Sequence, residues 1–249
     1  MGLKHGLKWG AVCLLVYVGF LLAKLPASKV ISLIDLPTGV SLRGVSGTIW
    51  HGRAQQIIAK GLPLNKLSWQ LDVLPLLWGS VSAQIKAGNM RTADEISFKT
   101  KVQLAKNSFK AQELQAYLPT NLLISLLPLP FPVNAQGRFR IQLEELNYTD
   151  GCQALKGKGQ WLKAEVAGLN GQIVLGNFDA QFKCDKSDVL LEVNEPNSFG
   201  LSAIARIPQS MQFSVEGKFK PDPNLPREVQ QAAQFFGQPD GQGYYPLKF

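Results

Sequence analysis

The chain has 249 residues and a mass of 27.3 kDa, room for one large domain or one domain with an anchor, but cramped for two full domains. Hydrophobic residues make up 45% and charged residues 18%, a composition that excludes a disordered chain. The 26 basic and 18 acidic side chains give +8, and two histidines and three cysteines leave little material for metal or acid–base chemistry.

Lys4, Lys8 and Lys24 fall in residues 1–28, which hold no acid, so the +8 drops to a mild +5 once these three are set aside. The remaining basic groups come in pairs such as Lys99/Lys101, Lys156/Lys158 and Lys218/Lys220. A spacing of two puts both members on one face of a strand and reads as a solvated sheet face. No helix gathers arginines and no aromatic–basic interleaving occurs, so nucleic acid is not an expected partner.

Trp9 to Ala23 runs without a charge and includes Cys13, Tyr17 and Phe20. Extended over about 7–25, with Lys8 and Lys24 snorkelling, the segment spans roughly 28 Å, close to the hydrocarbon thickness. Trp9 lies where an interfacial belt is expected. The rival reading is a cleaved signal peptide, but no A-x-A pattern follows the apolar run. The expectation is therefore an uncleaved single signal anchor within residues 1–28. Its N-terminus is cytoplasmic, and residues 29–249 form an exported, β-rich domain.

The exported part alternates with period two at Val81–Ala87, Ile96–Leu104, Phe139–Leu143 and Met211–Phe219, with polar residues in the gaps. One buried and one wet face argue for antiparallel sheet. Turn residues punctuate it at Gly61, Gly88-Asn89, Asp150-Gly151, Asn170-Gly171 and Pro196. Two stretches escape the pattern. Gln112–Leu127 reads as helical or irregular, broken at Pro119 and ending in a proline-rich run to Pro132. Pro226–Phe236 reads as a short helix stopped by Gly237, before a last strand from Tyr244. The fold class is mainly β: a strongly curved, twisted antiparallel sheet with one or two short helices. A faint internal likeness links Gly47–Ala54 to Gly157–Ala164, each with glycines before a Trp.

Cys13 lies in the anchor as a small hydrophobe. Cys152 and Cys184 are the only cysteines of the exported part, and a bend at Asn170-Gly171 sets them at the far ends of one hairpin. A disulfide between them is expected in an oxidising compartment, with two buried thiols as the alternative. A bulge or loop near Gly157–Gly159 is expected to absorb the unequal arm lengths. His51 has no nucleophile or acid in catalytic spacing beside it, and Asp94-Glu95 and Glu144-Glu145 point to opposite faces if extended. No catalytic, cofactor or metal residue is identified, and no cofactor is expected. Trp50, Trp69, Trp78 and Trp161 read first as core and second as a groove for a ligand or partner.

Taken in order, Leu36-Pro-Thr-Gly-Val-Ser-Leu-Arg-Gly-Val-Ser-Gly-Thr-Ile-Trp50-His-Gly-Arg-Ala54, Leu67-Ser-Trp69, Leu74-Pro75, the Cys152/Cys184 pair around Gly159-Gln-Trp161, and Phe236-Gly237-Gln-Pro-Asp240-Gly-Gln-Gly243 resemble the general secretion pathway protein N family of the type II secretion system. The resemblance implies a Gram-negative inner-membrane protein with one N-terminal span and a periplasmic domain. It also implies no enzymatic activity and contacts with other inner-membrane subunits of the secretion platform. A looser likeness to AsmA-like proteins gives an alternative: a periplasmic lipid- or amphiphile-binding protein using the apolar face of a curved sheet. The two readings separate on whether Gln112–Leu127 and Pro226–Phe236 close that face. A periplasmic enzyme is the third reading, with no acid or base to support it.

Overall fold

The computed structural model describes residues 2–34, 36, 38–59, 61–124, 134–169, 171–210 and 212–248, with backbone alone at residues 2–8 and 11. Helix α1 (Gly2–Ala23) is followed by the single turn α2 (Ala27–Ile31). The first strands are β1 (Val40–Arg43), β2 (Ser46–Gly47), β3 (His51–Ala59), β4 (Leu62–Asp72) and β5 (Val81–Ala87). The middle of the chain forms β6 (Ser97–Ala105), β7 (Ser108–Pro119), the short helix α3 (Thr120–Ile124), β8 (Ala135–Thr149), β9 (Cys152–Gly168) and β10 (Gly171–Asp185). The last part forms β11 (Asp188–Val193), β12 (Ser202–Ile207), β13 (Ser214–Phe219), helix α4 (Arg227–Ala233) and β14 (Tyr245–Lys248).

All strands join one sheet in the order β1-β3-β4-β5-β6-β7-β8-β9-β10-β11-β12-β13-β14, with β2 paired to β3. Every pairing is antiparallel, and from β3 onward each strand lies beside its neighbour in sequence. The mainly β reading therefore holds, with one antiparallel sheet and few short helices. Among the described residues no helix is long and apolar enough to cross a membrane. The described side chains of α1, from Trp9 to Ala23 apart from Ala11, are fewer than the roughly 20 apolar residues a span requires.

Gln112–Pro119 is not helical but the second half of β7. The register jumps from Lys101↔Gln112 to Lys99↔Gln115, and Glu113 takes φ 52° in the resulting bulge. The extra residue shifts the inward set from Ala111 to Leu114 and Ala116, so the period of two breaks in the sequence though the strand continues. Thr120–Ile124 does form one helical turn, while Ser125–Val133 and their prolines lie outside the described residues. At the other end, α4 runs on through a 3-10 turn at Gln234–Phe236 and stops at Gly237, which has φ 119°. Met211, Asn170 and Phe249 also lie outside the described residues.

Cys152 and Cys184 are joined by a disulfide with Cα atoms 5.6 Å apart. The arms are not equalised near Gly157–Gly159, where Gly157↔Phe182 and Gly159↔Ala180 keep one register. Two bulges higher up, near Lys163 (φ 51°) and Leu175, cancel each other. Instead β9 overhangs the end of β10, so Cys152 donates its N–H to the Ser187 carbonyl in the following turn at 2.8 Å. Cys184 meets it there from the end of β10.

The C-terminal approach to β14 is tied by Asp240, whose carboxylate accepts the N–H groups of Gln242 and Tyr244, each at 2.9 Å. These bonds, Tyr244's foremost, hold its pKa below the ordinary aspartate value. Its contribution is thus complete above the unfolded carboxylate's range and is lost as pH falls through the lower folded value. The Tyr244 amide resonance should titrate below the usual aspartate midpoint, and Asp240→Asn should abolish that titration. Opening the disulfide by Cys152→Ala with Cys184→Ala, which removes a cross-link over a separation of 32 residues, should cost about 3–4 kcal/mol in denaturant unfolding of the detergent-solubilised chain.

Candidate functional site

Two places gather the residues singled out in the sequence. The first is an apolar cleft over the inner face of β8–β13. Its floor is a row of rings set by register. Phe139 of β8 lies opposite Trp161 of β9, and Trp161 lies opposite Phe178 of β10. Their centroids are 5.4 and 5.5 Å apart. The row continues through Phe199 and Phe219 to Phe236 and Tyr245, each step between 5.1 and 6.3 Å. Facing cross-strand positions bring rings to this spacing, and each pair contributes about 0.5–1.5 kcal/mol beyond its burial. The Trp161 indole N–H is satisfied by the Gln136 carbonyl at 3.1 Å.

Next to this row the inner face carries two small residues, Gly159 and Ala180, which face each other between Ile141 and Val193. The missing side-chain volume opens a cavity of about 880 Å³. Its roof comes from the two segments that escaped the strand pattern, through Leu123 and Ile124 of α3 and through Val229, Ala232 and Phe236 at α4 and beyond. Val229 buries itself against Ala164, Ile173, Leu175 and Phe178, and Ala233 is buried one turn further along α4. Glu228 then locks the end of the β9–β10 hairpin, its carboxylate accepting the Leu169 N–H at 2.8 Å. On the wet face behind this floor, Arg140, Gln160 and Asp179 form a hydrogen-bonded chain across β8, β9 and β10. Such a cavity, lined mostly by apolar residues but also by Asn134, Arg140, Gln160 and Glu228, and within the size range of small-molecule pockets, suits a hydrocarbon-bearing ligand or an apolar peptide side chain.

The second place is a joint between α1 and the sheet. The Trp50 indole donates to the Leu22 carbonyl at 2.8 Å, and the Ile49 N–H donates to the Leu25 carbonyl at 3.1 Å. Trp69 donates in turn to the Ile49 carbonyl at 2.9 Å. A Cβ on Gly52 would lie 2.1 Å from the Trp69 ring, so only glycine fits beneath it. Gly47, at φ +86°, makes the turn, and a Cβ there would lie 2.4 Å from the His51 carbonyl oxygen. The Gly47–Gly52 block is thus a backbone device that seats the end of α1. It resembles Gly157–Ala164 only in that each Trp donates to a main-chain carbonyl. Trp50 precedes its strand, whereas Trp161 sits within one.

The remaining candidates stay apart. His51 is exposed, and its own N–H bonds Thr48 Oγ1 at 3.1 Å. Glu144 pairs with Lys156 at 2.6 Å, which raises the lysine's pKa. Asp94 and Glu95 lie in the β5–β6 connection. Among the described residues no group of three metal-binding side chains forms. Trp9, Tyr17 and Phe20 are exposed along α1, as is Cys13, a free thiol. Trp78 is not core but exposed, for it ends a 3-10 turn outside the strands. Proximity of Trp50 to α1 carried no sequence signal beyond the block itself. Trp161→Ala should cost about 3 kcal/mol by removing the ring that joins Phe139 to Phe178. Gly52→Ala should cost about 1–3 kcal/mol by displacing Trp69. Both are read as shifts of the denaturation midpoint.

No solved structure matches this chain. Protein relatives do. The type II secretion system protein N of Vibrio cholerae serotype O1 is 28% identical over 98% of both chains. That of Aeromonas hydrophila is 28% identical over 99% of this chain and 98% of its own, and that of Pectobacterium carotovorum is 24% identical over 100% and 98%. The sequence model described as type II secretion system (T2SS), protein N matches residues 38–248, which takes in the cleft and the sheet side of the joint, and the chain belongs to that family.

Proposed function

We propose that this chain is a non-enzymatic accessory subunit of the type II secretion system. It is held in the inner membrane by α1 as a single uncleaved anchor over about residues 7–25, with a cytoplasmic N-terminus. Residues 29–249 are then a periplasmic β-domain that contacts other inner-membrane subunits. The observation that carries this reading is the joint: one helix with exposed apolar side chains, seated by Trp50 on a disulfide-bonded sheet. The family supports the secretion role, and a disulfide fits an oxidising compartment.

The sheet has two edges for strand addition. Both edge strands are four residues long, but β14 carries Pro246 and Lys248, features that blunt pairing. The β1 edge, Val40–Arg43, has no proline and is the better acceptor of a partner strand. A photo-crosslinker at Ser41 in the full-length protein should capture a secretion-system inner-membrane subunit in its native host, while one at Lys248 should not. Capture of no such subunit from either edge would refute edge-mediated contact.

The cleft favours a second role alongside the first, the binding of a lipid or other amphiphile. Its volume, its ring floor and its roof of α3 and α4 support that role. The protein purified in mild detergent should retain a hydrocarbon-bearing ligand visible by native mass spectrometry. Ala180→Trp, which fills the cavity from its floor, should eliminate that ligand at a cost of no more than about 1–3 kcal/mol in stability. An identical ligand content in wild type and variant would rule the cleft out as the site.

A further inference from the structure

We infer that the β4–β5 connection, Val73–Gly79, is a second membrane contact, which lies in the headgroup region of the bilayer beside the end of α1. This rests on the reading of α1 as a membrane anchor and adds a surface to it. The connection is a 3-10 turn of sequence Val73-Leu-Pro-Leu-Leu-Trp78-Gly79 without a charge. Leu74, Leu77 and Trp78 are 69, 75 and 77% exposed, and Val73 is exposed beside them. With Leu76 also exposed, five large apolar side chains within six residues of one short turn form a contiguous patch rather than the scattered exposure ordinary surfaces show.

The position of the turn selects its partner. The Leu71 N–H donates to the Trp50 carbonyl at 2.7 Å, while the Trp50 indole donates to the Leu22 carbonyl at 2.8 Å. Two hydrogen bonds through one residue thus link the last turn of α1 to the strand end from which Val73 emerges. Leu33 and Ile34, exposed in the turn after α2, follow the Pro26–Thr48 bridge at this same end of the sheet. If Leu22 lies at the edge of the hydrocarbon, Val73–Trp78 lies at the depth where tryptophan is favoured.

The turn also meets the second demand of that environment, a backbone with few unpaired polar groups. The N–H groups of Leu76, Gly79 and Ser80 donate to the carbonyls of Val73, Leu76 and Pro75, and Ser80 Oγ bonds the Pro75 carbonyl as well. Pro75 has no N–H to satisfy. Gly79 closes the turn at φ 70°, with open space around it.

The test uses the full chain reconstituted in vesicles of phosphatidylethanolamine and phosphatidylglycerol. A nitroxide is placed on the native Cys13, or on Leu77→Cys or Arg91→Cys in a Cys13→Ser background. Arg91 is exposed in the connection at the opposite end of β5. Accessibility to lipid-soluble oxygen is compared with accessibility to a water-soluble nickel chelate. The oxygen-to-nickel ratio should be severalfold higher at positions 13 and 77 than at 91. A lipid signature at 13 with water exposure at 77 would overturn the inference and leave the anchor standing. Shielding of 77 from both reagents would overturn it in favour of a covering protein. Water exposure at 13 would remove the anchor reading and this inference with it.

Discussion

A single antiparallel sheet has no partner sheet against which to hide its inner face, and that constraint shapes the whole molecule. Strand-to-strand hydrogen bonds satisfy the backbone but bury little apolar area, so the inner face needs either small side chains or a cover. Both occur. The buried hydrophobic positions of β3 and β5–β7 are largely alanines, such as Ala54, Ala83, Ala87 and Ala111. Larger buried side chains cluster where α4 lies across β9 and β10, beside the ring row that starts at Phe139. The cleft exists because the cover rests on the hairpin tip, through Glu228 and Val229, while Gly159 and Ala180 leave the floor beneath it low.

The bulges follow from the same constraint. A flat ribbon of this many strands would extend roughly 60 Å across and offer no concavity. Register shifts fall between β6 and β7, three times between β8 and β9, and twice between β9 and β10, beside or within the strands that floor the cleft. Each inserted residue bends its strand and increases the local twist. Glu113 and Lys163 accept positive φ values that a side chain ordinarily avoids. Where these bulges bend the sheet, the rings of neighbouring strands turn toward one another.

Much of this was legible in the sequence where a local rule operates over a whole element. Val81–Ala87 alternates without interruption and is β5. Gly61, Gly88 and Gly151 mark connections because each takes a positive φ. The helix before Gly237 is announced by Pro226 and Glu228. The sequence reading failed where the rule was broken from outside. One bulged residue, Glu113, hid half of β7, and the cysteine arms were matched by an overhang rather than by a bulge. Trp50 and Trp78 look alike as isolated aromatics, but one is held by a carbonyl 28 residues away and the other by nothing beyond its own turn. Such long-range partners leave no periodic trace. The cleft was legible only as a question, since its volume depends on how α3 and α4 settle over the sheet.

The two places lie at opposite ends of the strand direction, and this bears on how they work together. The joint sits where β3 begins and β4 ends. In an alternating antiparallel ladder that is the end at which β8 finishes and β9 starts, near Cys152. The roofed part of the cleft, at Ala135, Leu169 and Val229, is at the other end, nearly the full length of β9 away. Along β9 itself, the roof lies roughly 50 Å from the end that holds Cys152, at about 3.3 Å per residue. The disulfide lies at the Cys152 end of the longest strands, where β9 overhangs β10 and the ladder alone would fray. Its placement stiffens the far end of the hairpin that carries the cleft, and one continuous hydrogen-bonded sheet joins that cleft to the β1 edge.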